Sequence, residues 1–100
     1  MQKNNGIGSM KKPVSEKELI YFSKNKLIDR MTIQQLSNGH YEIFFSLKNT
    51  DTKYFLKTQR GDVRTWVNLD RLTKHIRTYY EPMETISLKL KKEINYEKKH

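Results

Sequence analysis

Three histidines, His40, His75 and His100, are the first side chains to test for chemistry, and their spacing makes no metal-ligand set. The chain has no cysteine, which excludes disulfides and thiolate sites. Asp62 and Asp70 flank a turn and a helix start, where aspartate has ordinary structural uses. Gly61 stands alone, so no glycine-rich phosphate loop is present. Nothing combines a nucleophile with a base and a group to orient it. These residues predict a protein that is not an enzyme and holds no metal or cofactor.

The cations read differently. The 100 residues carry a formal net charge of +9, and an excess of that size favours an anionic partner. Arg60 and Arg64 sit on and just after a tight turn, and Arg71, Lys74 and Arg77 lie along a helix that follows. All five are candidate phosphate contacts. Arg30, Lys48 and Lys57 are candidates on the strands. Residues 1–26 hold a net +4, residues 27–86 a net +2 and residues 87–100 a net +3, so most of the excess lies at the ends. Basic ends serve either as arms that add nonspecific affinity for nucleic acid or as solubilising segments. An AT-rich coding genome would also enrich Lys, Asn, Ile and Tyr without any function. Arg60-Gly61-Asp62 spells an adhesion tripeptide, but without cysteine or a signal sequence it reads as a turn.

The elements that must position these residues follow from periodicity. Residues 1–12 are polar and aperiodic and predict a disordered leader. Ser15 and Glu18 form a capping-box pattern for a helix carrying Leu19, Ile20 and Phe22 and ending near Asn25. From Asp29 the period becomes two. Met31, Ile33 and Leu36 predict a strand, Asn38-Gly39 a hairpin turn, and His40–Lys48 the returning strand. Lys53–Thr58 and Val63–Val67 read as third and fourth strands. Asn68 caps a helix over Leu69–Tyr80, with Leu72 and Ile76 on its apolar stripe. Thr85–Lys91 alternates cleanly as a last strand, with Ile86, Leu88 and Leu90 on one side. Residues 93–100 form a charged tail. The expectation is one α+β domain over residues 13–92. It has a small antiparallel sheet of four or five strands, with one or two helices on one face, in the order α-β-β-β-β-α-β. A winged helix-turn-helix would need a helix over Asp29–Leu36, against which the Asn38-Gly39 turn argues.

With Tyr41, Ile43, Phe45 and Leu47 facing inward, the outward sheet residues are Arg30, Thr32, Gln34, His40, Glu42, Phe44, Ser46, Lys48, Lys53, Phe55 and Lys57. Three roles stay open for Phe44 and Phe55: stacking on bases, meeting a second subunit, or lying under a helix. Trp66 is expected in the core, with Arg64 stacked on it or turned to a phosphate.

The run Thr58-Gln59-Arg60-Gly61-Asp62-Val63-Arg64-Thr65-Trp66-Val67-Asn68-Leu69-Asp70 resembles the T-x-R-G-x-x-R-x-aromatic-x-x-L-D segment of small proteins encoded by plasmids and integrative elements. Some of these are described as partition-associated or stability proteins. The likeness spans about residues 28–90, and its specific part is short. Strands followed by a helix also resemble the amino-terminal DNA-binding domains of tyrosine integrases, by architecture alone.

Two functions are therefore expected to compete. The first is a nucleic-acid-binding accessory protein of a mobile element, serving plasmid partition, transfer or their regulation, with DNA as its partner. The second is a protein-interaction module that forms a homodimer or binds a partition or transfer protein. No apolar run is long enough to span a membrane and the N-terminus lacks a secretory pattern, so a cytoplasmic protein is expected.

Overall fold

A computed structural model describes residues 11–94. Its strands are β1 (Lys11–Val14), β2 (Ile28–Gln35), β3 (Tyr41–Leu47), β4 (Lys53–Leu56) and β5 (Ser87–Lys89). Its helices are α1 (Glu16–Lys24) and α2 (Leu69–Tyr79). The fold is α+β: a five-stranded sheet in the order β1-β4-β3-β2-β5, with two helices.

Local signals set the ends of these elements. The Ser15 backbone N–H donates to Glu18 Oε1 at 2.8 Å, and the Glu18 N–H donates to Ser15 Oγ at 3.1 Å, a complete capping box. α1 ends with the Lys26 N–H on Ser23 O and the Leu27 N–H on Phe22 O, the paired bonds of a Schellman turn. Lys26 takes φ +56° there, a place usually given to glycine. The hairpin turn between β2 and β3 runs over Leu36–Gly39, closed by the Gly39 N–H on Leu36 O at 2.9 Å, with Ser37 and Asn38 at its centre and Gly39 at φ +90°. Asn68 caps α2 through Oδ1, which accepts from the Arg71 N–H at 2.9 Å.

β2, β3 and β4 form an antiparallel meander, as expected. The outer strands depart from the antiparallel expectation. β1 runs parallel to β4, and β5 runs parallel to β2. Each is reached through a helical crossover, β1-α1-β2 and β4-α2-β5. Both crossovers step the same way across parallel strands, so a single handedness puts both helices on one face. That face carries Met31, Ile33, Ile43, Phe45 and Leu56, which pack with Leu19 of α1 and with Leu72 and Ile76 of α2.

Two expected segments change. Lys11 and Lys12 belong to β1 rather than to a leader; residues 1–10 and most of the expected tail, residues 95–100, lie outside the described residues. Val63–Val67 is not a strand of the sheet and touches it only through single bridges, Lys57 with Val63 and Tyr41 with Trp66. The cause is that β1 occupies the edge of β4 where a fourth hairpin strand would pair. Val63 and Val67 stay 40% and 64% exposed, while Trp66 turns into the core. Among the described residues, no helix is long and apolar enough to cross a membrane.

Candidate nucleic-acid interface

Strand alternation sends every second side chain to the face opposite the helices. Register fixes which ones. Thr32 lies opposite Phe44, Gln34 opposite Glu42, and Arg30 opposite Ser46. Phe44 in turn lies opposite Phe55, and Ser46 opposite Lys53. The parallel edges add Lys11 and Pro13 on one side and Ser87 and Lys89 on the other. Arg30, Thr32, Gln34, Glu42, Phe44, Ser46, Lys53 and Phe55 of the expected outward set therefore share one continuous face, whereas His40, Lys48 and Lys57 lie outside the paired residues. Phe44 and Phe55 do not lie under either helix, because α1 and α2 cover the other side of the sheet.

The centre of this face sinks into a depression of about 410 Å³. Thr32, Gln34, Glu42 and Phe44 make its floor, and Lys11, Lys53, Lys89 and Lys91 stand around it. Lys11 Nζ lies 4.4 Å from the centre of the Phe44 ring, in cation–π contact. Gln35 holds the far rim in place: its Oε1 accepts the Lys91 backbone N–H at 3.1 Å, and its Nε2 donates to Tyr41 Oη at 3.3 Å. Glu42 is the one acid in the depression. Burial pushes its carboxyl above the ordinary range, and the Lys11 charge opposes that shift.

Of the eight cations expected at a binding site, only Arg30 is on this face, beyond Thr32. Lys57 and Arg64 share an open cleft with Lys17 at the start of α1. Arg64 also stacks on Trp66, 4.8 Å from guanidinium carbon to ring centre. Arg60 is exposed on the turn closed by the Gly61 N–H on Thr58 O. Arg71, Lys74 and Arg77 are exposed on the outer side of α2, and Lys48 follows β3 beside Lys26 and Glu81 on the helix side. The five arginines and lysines of the turn and helix thus spread around the helix layer instead of meeting the sheet face.

Sequence reasoning missed Lys11, Lys89 and Lys91 as site residues. Alternation in Thr85–Lys91 did place Lys89 and Lys91 on one side. Only the parallel pairing of β5 with β2 shows which face of the sheet that side joins.

The helix layer has its own polar junction. Glu16 Oε2 accepts from Tyr80 Oη at 2.9 Å, and Glu16 Oε1 lies 3.0 Å from His75 Nε2. Burial foremost, then the Glu16 charge and hydrogen bond, drive the Tyr80 phenol far above its ordinary value, with Arg64 opposing. Tyr80 is thus a fixed donor, and the junction is a brace between α1 and α2. Among the described residues, no three His, Cys, Asp or Glu side chains are grouped to hold a metal. No protein-family model matches the chain, and no curated protein sequence matches it.

Proposed function

We propose that this chain is a non-enzymatic nucleic-acid-binding accessory protein, with the open sheet face as its binding surface. The observation that carries this reading is the depression itself: four lysines from three strands and the residue run after β5, around a floor of hydroxyl, amide and aromatic groups. Lysines at a rim neutralise phosphates, and a floor of that composition suits base contact. β1 and β5 are the outermost of five strands, so the two rims stand about 19 Å apart at the usual strand spacing. A chain of phosphates can engage lysines rooted on both edges at once. The likeness of Thr58–Asp70 to plasmid and integrative-element proteins extends the proposal to DNA, and to a role in partition, transfer or their regulation in the cytoplasm.

The test compares faces. One variant changes Lys11, Lys53, Lys89 and Lys91 to Gln; a second changes Arg71, Lys74 and Arg77 to Gln. Affinity for a labelled DNA is measured against salt. The sheet variant should flatten the log–log slope by about three, and the helix variant should leave most of it. An unchanged slope in the sheet variant would reject this face.

A second reading, a protein-interaction module, draws on a different surface. An apolar groove of about 500 Å³ runs between α2 and β5, lined by Ile33, Leu69, Ile76, Met83, Ile86 and Leu88. Leu88 and Leu90 on that edge are 43% and 66% exposed. Mass that rises with concentration, together with no DNA affinity, would favour a homodimer or a partition or transfer partner on this groove.

A further inference from the structure

The composition of the depression narrows what it can take. Phe44 offers a ring face on the floor, and Phe55 lies directly opposite it on the neighbouring strand. Glu42 precedes Phe44 by two residues on the same face, about 7 Å along the strand. A base lying on the Phe44 ring presents its hydrogen-bonding edge at about that reach. Glu42 and Gln34 face each other across β2 and β3. Gln34 Nε2 donates to the Gln35 carbonyl at 2.8 Å, which engages its amide nitrogen locally. The edge beyond Phe44 is therefore rich in acceptors, with Lys11 as the neighbouring donor.

We propose that the depression binds one unstacked nucleotide of a single strand and selects guanine, through Glu42 and Lys11. The proposal rests on the nucleic-acid reading of the sheet face and deepens it. The pairing edge of guanine shows an acceptor, O6, beside two parallel donors, N1–H and N2–H. A carboxylate takes two parallel N–H donors as a fork, and an ammonium takes the adjoining O6. Adenine and cytosine offer an amino group without the second parallel donor. Thymine and uracil flank their one N–H with carbonyl oxygens, which Glu42 repels. Lys11 Nζ now occupies the space above the Phe44 ring, and its four-carbon stem lets it swing to O6 as the base enters. A phosphate is kept out of the centre by the same carboxylate and is left to Lys53, Lys89 and Lys91. Lysines rooted on β4 and β5 can hold the phosphates that flank the base in a strand, which a free mononucleotide lacks.

The experiment uses the full chain and fluorescence anisotropy. The probes are a labelled dT12, the same strand with one central dG, dA, dC or deoxyinosine, the ribose counterparts, and a hairpin duplex holding the dG. The dG strand should bind about 10-fold tighter than dT12, a difference of about 1.4 kcal/mol. Deoxyinosine, which lacks the N2 amino group, should lose most of that preference. Glu42→Gln should abolish it while tightening dT12, because a negative charge leaves a basic face. Phe44→Leu should weaken every single strand and keep the remaining order. Unlabelled GMP should compete only at far higher concentration than the dG strand, and equal competition would replace the strand with a free nucleotide. Equal binding of all substituted strands, or tighter binding of the duplex, would overturn the guanine proposal and leave the nucleic-acid reading standing. No binding of any probe at low salt would reject both.

Discussion

Tyr80 donates its hydroxyl to Glu16 at 2.9 Å, and this bond ties the end of α2 to the first turn of α1. Tyr80→Phe keeps the ring and removes the bond. A hydrogen bond to a charged group is worth about 1.5–3 kcal/mol, and the variant should lose that much in urea unfolding. The raised phenol value sets the pH dependence. The folded chain holds this proton more tightly than the unfolded chain, whose tyrosine titrates near 10.0. The contribution is complete below that value and is lost as pH rises above it. The parent should therefore lose stability faster than Tyr80→Phe in the alkaline range.

Glu42 is shifted in the same direction as Tyr80, but its effect falls at lower pH. Its carboxyl is raised above 4.5 by burial, so the folded state binds more protons than the unfolded one just above that value. Stability falls as pH rises through the window. Glu42→Gln should unfold like the parent at about pH 4 and be more stable than it at about pH 7. A parent that is the more stable at neutral pH would show that Glu42 is held by a favourable partner.

Leu72 is wholly buried in the centre of the α2 stripe. Leu72→Ala should cost about 2–5 kcal/mol, a large part of the stability of a domain this size. A thermal melt equal to that of the parent would contradict the packing of α2 on the sheet.

Lys26 occupies a left-handed position with φ +56° at the end of α1. Lys26→Gly should stabilise the chain by about 0.5–1 kcal/mol, because glycine adopts that conformation without a Cβ clash. A loss of stability on this change would mean that the lysine side chain contributes more than its backbone costs.

What the sequence showed and what it hid divide by distance along the chain. The Ser15–Glu18 box, the Asn38-Gly39 turn and the Asn68 cap each act within a few residues, and each is where its pattern put it. The α2 stripe was legible as well, down to Leu72 and Ile76. Lys11, Lys12 and Pro13 gave no such signal. They form a strand only because β4 offers them an edge, and proline is tolerated at that edge. The Arg60-Gly61-Asp62 turn suggests a fourth hairpin strand over Val63–Val67, but the edge that strand would need is already held by β1. The absent signal for β1 also hid one lysine rim. The candidates on the turn and on α2 were legible as exposed cations, but exposure alone does not say which surface they share.

The pairings that complete the sheet have a kinetic consequence. β2, β3 and β4 close through short turns, whereas Lys11 must find Lys53 and Ser87 must find Thr32 across whole helices. Contacts so far apart in sequence carry the larger loop-closure cost and are expected to close after the meander. Lys11 and Lys89 are carried by these outer strands and Lys91 follows β5, so a chain with only its meander formed keeps Lys53 alone of the four. A ligand that spans both rims binds the finished sheet and not its precursors, and by mass action it fastens the outer strands. Amide exchange in β1 and β5 should slow on binding, more than in the central strands that are already closed.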